Sequence, residues 1–139
     1  MDTRMAMAIV LGCAAVYQDL RRRTISNWIN AAALAGGLLY HTLRHGAAGV
    51  ALSALGAAAG FGVFLVCYWL GGMGGGDVKL MAAFGALLGP WPILTAALLA
   101  AMIGGLMAAG SLLLSRSRRA IPYAPAIVLG AWLALLGEK

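Results

Sequence analysis

Gly71-Gly72-Met73-Gly74-Gly75-Gly76-Asp77-Val78-Lys79-Leu80 sets five glycines and one aspartate between two apolar runs. The glycines break any helix, so the runs over residues 47–70 and 78–88 read as separate elements. The acid is as informative as the break. The chain holds four acidic residues, and Asp2 and Glu138 lie at its ends. Asp19 and Asp77 are therefore the carboxylates within its body. The rest of the sequence is read here as a scaffold that holds these two side chains together at a membrane surface.

Composition supports that reading. Of 139 residues, 63% are hydrophobic and 10% charged, with a mean hydropathy of +0.91. Soluble domains average about 25% charged residues, so a water-soluble core is excluded as the default. Several runs approach the ~20 residues that cross a bilayer as a helix. Lipid offers no partner to free backbone groups, and the Ala, Leu and Gly runs do not alternate as barrel strands do. The expectation is an all-α membrane protein, a bundle of about six transmembrane helices, forming one integral-membrane domain over residues 1–139. The net charge of +6 does not point to nucleic acid. The cations cluster at the ends of apolar runs, where they orient a chain and meet anionic lipid. Cys13 and Cys67 form no C-x-x-C pair, so no zinc site, redox motif or other cofactor is expected.

Outward from the glycine stretch, the chain divides as follows. Residues 5–18 have the outline of a signal peptide, with Arg4 in front and Gly12-Cys13-Ala14-Ala15 as a small-residue site. The chain beyond is equally apolar, so the run reads as a first span, short enough to leave Asp19 at the membrane boundary. Ser26 and Asn27 are helix-start residues ahead of a second span over 28–42, with Trp28 and Tyr40 near its ends. His41 and His45 lack a nearby third ligand and read as solvated interfacial residues, not a metal pair. Residues 47–70 form the third span, in which Gly56 and Gly60 have a small-xxx-small spacing that arises easily in so Gly-rich a chain. Residues 78–88 are a short fourth run, with Asp77 at its start, that either spans at a tilt or only dips into the bilayer; it is ended by Gly89-Pro90-Trp91-Pro92, and residues 93–114 are the fifth. Ile121-Pro122-Tyr123-Ala124-Pro125 leads into the last span, ending near Leu136.

Six spans put Arg21, Arg22, Arg23, Lys79, Arg116, Arg118 and Arg119 on one side, and Arg4, Arg44 and Lys139 on the other. The positive-inside rule assigns the first side to the cytoplasm. Asp19 and Asp77 lie on that side, although neither entered the count.

Two carboxyls brought close share one proton, which supplies an acid and a base in one site. The base takes a proton from water as it attacks a peptide carbonyl, and the acid protonates the oxyanion or the leaving nitrogen. Asp77 begins a helix and Asp19 ends one, so dipoles alone predict that Asp77 ionises first. Gly74 and Gly76 are expected to take positive φ and to leave room for an extended substrate strand. Lys79 reads as a lipid-phosphate contact that also lies near enough to tune Asp77.

Together these residues resemble the type IV prepilin peptidase family, membrane aspartyl proteases of the G-x-G-D kind. Gly74-Gly75-Gly76-Asp77-Val78-Lys79-Leu80 matches its G-x-G-D-x-K-L segment. Asp19 with Ile25-Ser26-Asn27 matches its first aspartate followed by Ile-Pro-Asn, with Ser26 in place of the proline. Ile121-Pro122-Tyr123-Ala124-Pro125 looks like its Pro-Phe-Gly-Pro segment. The resemblance covers nearly the whole chain. It implies removal of the short basic leader of a prepilin or pseudopilin, with the cut after a glycine at the cytoplasmic face of a bacterial inner membrane. It makes Asp19 and Asp77 the catalytic pair, and Gly74, Gly76, Lys79, Asn27, Pro122 and Pro125 the site-shaping residues. Larger members carry a paired-cysteine domain and methylate the new N-terminus. The chain is similar to the short form of tight-adherence pilus systems, for which zinc and methylation are not expected. Archaeal preflagellin peptidases are similar too.

The rival reading is a small transporter using both aspartates as proton or cation ligands. It predicts flux across proteoliposomes without proteolysis. A purely structural subunit predicts that Asp19→Asn and Asp77→Asn leave function intact.

Overall fold

A computed structural model describes residues 2–114 and 121–138. Arg116, Arg118, Arg119 and Lys139, which entered the charge count, lie outside the described residues. Six helices and no strand are present among the described residues: α1 (Thr3–Arg22), α2 (Asn27–His45), α3 (Ala47–Trp69), α4 (Gly75–Leu88), α5 (Pro90–Leu114) and α6 (Ala124–Gly137). By length and composition, α3 and α5 can cross a membrane, and α6 is apolar but shorter. The outer surface is apolar: Leu39, Leu55, Leu98, Met102 and Leu106 are exposed, as are Trp28, Trp69 and Trp91 near helix ends. A water-soluble monomer rarely shows so large an apolar surface, whereas lipid requires one.

The boundaries differ from the sequence expectation in informative ways. Helix α1 runs to Arg22, so Asp19 sits in its last turn and is buried. Ser26 caps α2 as expected: its hydroxyl accepts from the Trp28 N–H at 3.2 Å. Its own N–H donates to Gln18 Oε1 at 2.8 Å, tying the connection back to α1. Helices α2 and α3 are separated by Gly46 alone, at φ 60.

Helix α4 is the centre of the bundle. Val78, Leu80, Met81 and every residue from 83 to 88 are buried, as expected of a helix apolar all round. Fourteen residues reach only about 21 Å, and the last six are buried among the other helices. Its C-terminal carbonyls therefore end where water is scarce and need partners. Three other helices supply them. Ser53 of α3 donates to the Ala86 carbonyl at 3.1 Å. His41 Nε2 of α2 donates to Leu87 O at 3.1 Å. Arg4 of α1 donates to Leu88 O at 3.1 Å, and also pairs with Glu138. His41 is thus buried, not solvated as its spacing from His45 suggested. The physical reason is that the orphan carbonyl next to it has no other side-chain donor among the described residues. Replacing His41 by Leu is expected to leave Leu87 O unpaired and to lower stability by about 1–3 kcal/mol. His41→Gln, which keeps a donor, should recover part of the loss in detergent melting curves.

Helix α3 packs against α4 through Ser53, Gly56 and Gly60, while Gly49 closes on the His41 carbonyl of α2; all four are buried. A methyl group on Gly56 would overlap the Gly85 carbonyl, and one on Gly85 would overlap the Gly56 carbonyl. The small-xxx-small spacing is therefore used for direct backbone approach.

Candidate functional site

The site forms where the ends of α1 and α6 meet the start of α4. Arg23 terminates α1 in a left-handed conformation at φ 52, its N–H bonded to Asp19 O at 2.9 Å. That turn directs residues 24–26 back beside the bundle. The Asp19 side chain is 7% exposed. Its Oδ2 accepts from the Ala124 N–H, the first residue of α6, at 3.2 Å. Asp19 thus occupies the N-terminal end of α6 and satisfies one of the N–H groups that the helix leaves unpaired.

Asp77 lies in the first turn of α4, ahead of the apolar stretch that begins at Val78. It is partly exposed, and faces Asp19 across a cleft of about 350 Å³. Asp19, Arg23, Thr24, Ile25, Gly74, Gly75, Gly76 and Asp77 line that cleft. Burial pushes the Asp77 carboxyl up to about 6, the charge of Asp19 adds to the rise, and a backbone hydrogen bond from Gly74 opposes it. This reverses the expectation that the helix start would make Asp77 ionise readily. Desolvation and a like charge outweigh the dipole.

The rise has a consequence for stability. The folded chain binds the Asp77 proton more tightly than the unfolded chain, whose value is near 3.8. That contribution is complete below pH ~4 and is lost as pH rises through about 6. Asp77→Asn is expected to remove this dependence: melting curves of the variant and the wild type should converge in acid, with the variant the more stable at neutral pH.

The cleft joins four of the residues singled out in the sequence: Asp19, Asp77, Gly74 and Gly76. Asn27, Lys79, Pro122 and Pro125 do not line it. Lys79 is exposed; two residues along a helix turn a side chain about 200° away from Asp77. Asn27 is exposed at the start of α2. Pro125 instead faces an apolar groove with Cys13, Tyr17 and Trp132. The glycines act differently from expectation. Gly74 has φ −84, Gly75 and Gly76 belong to α4, and the positive φ falls on Gly71 at 81. What Gly76 provides is space, since a β-carbon there would meet nothing within 4 Å. Arg23, Thr24 and Ile25 also wall the cleft, which their sequence pattern does not predict. Only the left-handed turn at Arg23 brings them there, and no periodicity in the sequence announces it. Among the described residues, no group of three or more His, Cys, Asp or Glu stands close enough to hold a metal ion.

Chemically, the cleft offers two carboxyl groups under mutual influence, beside open backbone at Gly75 and Gly76. It can place a water against an extended peptide with an acid and a base at hand.

Comparison with known proteins gives a consistent result. The model of the type IV leader peptidase family matches residues 5–109. The chain is 33% identical over 132 residues to the prepilin leader peptidase/N-methyltransferase of Aeromonas hydrophila, covering 88% of this chain and 45% of that protein. It is 43% identical over 86 residues to the protein of that name from Bacillus subtilis (strain 168), covering 59% and 35%. The corresponding protein of Escherichia coli (strain K12) is 32% identical over 126 residues, covering 84% and 55%. The chain spans about half the length of the curated relatives it matches. No solved structure matches it.

Proposed function

The chain belongs to the type IV leader peptidase family, and from that premise we propose that it is a membrane aspartyl endopeptidase that removes leader peptides from type IV prepilins or pseudopilins. The observation that carries the proposal is the cleft in which Asp19 and Asp77 face one another. In this reading the apolar stretches of all six helices lie in the bacterial inner membrane, those of α4, from Val78, and of α6 being shortened spans, and Asp77 stands outside the span at the membrane surface. Arg21, Arg22, Arg23 and Lys79 mark the cytoplasmic end.

The reaction needs one proton between the two carboxyls. The ionised one takes a proton from water as the water oxygen bonds to the scissile carbonyl carbon. The protonated one, Asp77 below about pH 6, gives its proton to the developing oxyanion. As the tetrahedral intermediate collapses, the C–N bond breaks and the leaving nitrogen receives a proton from the dyad. Water is thereby divided between the two products. The bond cut follows a glycine, which passes close to Gly75 and Gly76.

Co-expression with a candidate prepilin, read as a gel shift, tests the proposal. Leader removal by the wild type, absent in Asp19→Asn and Asp77→Asn, is expected. Cleavage that survives both substitutions rejects it. The pH dependence follows from Asp77. Its proton is lost as pH passes about 6, so kcat/KM is expected to fall above that pH, approaching tenfold per unit. A profile flat from pH 5 to 8 contradicts the shared proton.

A further inference from the structure

Residues 23–26 lie between α1 and α2, and Arg23, Thr24 and Ile25 among them wall the cleft that holds both aspartates. Arg23 and Thr24 are exposed, so burial of their side chains does not fix the wall. Hydrogen bonds fix it at its two ends. The Arg23 N–H donates to Asp19 O at 2.9 Å, and the Ser26 N–H donates to Gln18 Oε1 at 2.8 Å. The acceptors belong to consecutive residues near the end of α1. The first is a backbone carbonyl, which any residue at position 19 offers. The second is a side-chain amide, and an aliphatic residue at position 18 could not offer it. The carboxyl pair is held by other means: Asp19 Oδ2 accepts from the Ala124 N–H at 3.2 Å, and Asp77 is carried by α4.

We propose that Gln18 is a positioning residue for the peptide substrate, its amide oxygen holding the 23–25 wall in place while taking no part in the chemistry of the carboxyls. The inference rests on the peptidase reading. The backbone at Ser26 shows what the bond replaces. Its φ of −62 and ψ of 136 are angles that a proline adopts. A proline at this position would fix φ through its ring but would have no N–H to give. The Gln18 bond and a proline ring are therefore alternative ways to hold one turn, the first through a partner and the second through the chain itself. With serine at position 26 the wall depends on Gln18; with proline it would not.

Kinetics on a type IV prepilin that the wild-type protein cleaves test this dependence. Gln18→Ala should raise KM about 3- to 10-fold, the worth of one hydrogen bond. It should leave kcat, and the pH at which kcat/KM falls, where they are, because only uniform binding is lost. In a Ser26→Pro background the same Gln18→Ala change should alter KM less than about twofold, since the two no longer share a bond. Exchange of the Ser26 amide hydrogen should quicken in Gln18→Ala, a readout that needs no substrate. A Ser26 amide that exchanges equally fast in both proteins overturns the bond. An unchanged KM, a loss confined to kcat, or an equal rise of KM in both backgrounds overturns the role of Gln18 and leaves the peptidase reading standing. No cleavage by the wild type, or cleavage persisting in Asp77→Asn, overturns the peptidase reading and the role of Gln18 with it.

Discussion

Asp19→Asn and Asp77→Asn are each expected to lower the rate of leader removal by about 10²- to 10⁴-fold, the range associated with loss of a positioned acid or base. The substitutions conserve shape. The amide oxygen that replaces Asp19 Oδ2 can still accept from the Ala124 N–H at 3.2 Å, so α6 should stay in register with α1. At Asp77 the amide cannot ionise, so the burial that pushes the carboxyl up is no longer opposed to folding at neutral pH. Loss of activity in that variant should therefore accompany unchanged or higher stability. The double variant should be no less active than either single one, because groups that act as a unit are not additive. Activity assays on purified protein in detergent, with melting curves on the same samples, check all three statements. A double variant much less active than both singles indicates two independent roles in place of a dyad.

Gly56→Leu is expected to be the most damaging single change far from the site. Here α3 and α4 touch through backbone: the Gly56 and Gly85 carbonyls each occupy the place a β-carbon would take on the other. A flexible side chain can yield, but a carbonyl fixed in a buried helix cannot. Overpacking typically costs about 1–3 kcal/mol, and this contact belongs at the upper end or beyond. The consequence reaches the chemistry because α4 also carries Asp77, about 12 Å along its axis from Gly85. Displacing α4 should open the cleft and reduce cleavage together with stability. Gly62→Leu is the control. It lies on the same helix with nothing within 4 Å of its β-position, and should change little. Equal losses from both substitutions indicate that helix propensity, and not close packing, governs α3.

Much of this molecule is legible in the chain. Residue composition predicts an all-helical chain with an apolar surface, the glycine run separates α3 from α4, and Ser26 marks the start of α2 where it is found. The scarcity of acids isolates Asp19 and Asp77 without any structure. These features are local: they depend on a residue's polarity or backbone preference, which no neighbour can alter. The tertiary arrangement decided the rest. It placed the short α4 at the centre and terminated it with Ser53, His41 and Arg4 from three helices. It set Asp19 at the head of α6 and turned Arg23 into a cleft wall. It also raised Asp77 where its own helix predicted the opposite. Each of these is an interaction between residues far apart along the chain. An ionisable group responds to all the charge and dielectric around it, and an orphan carbonyl to any donor within reach, so neither can be read from its sequence neighbours.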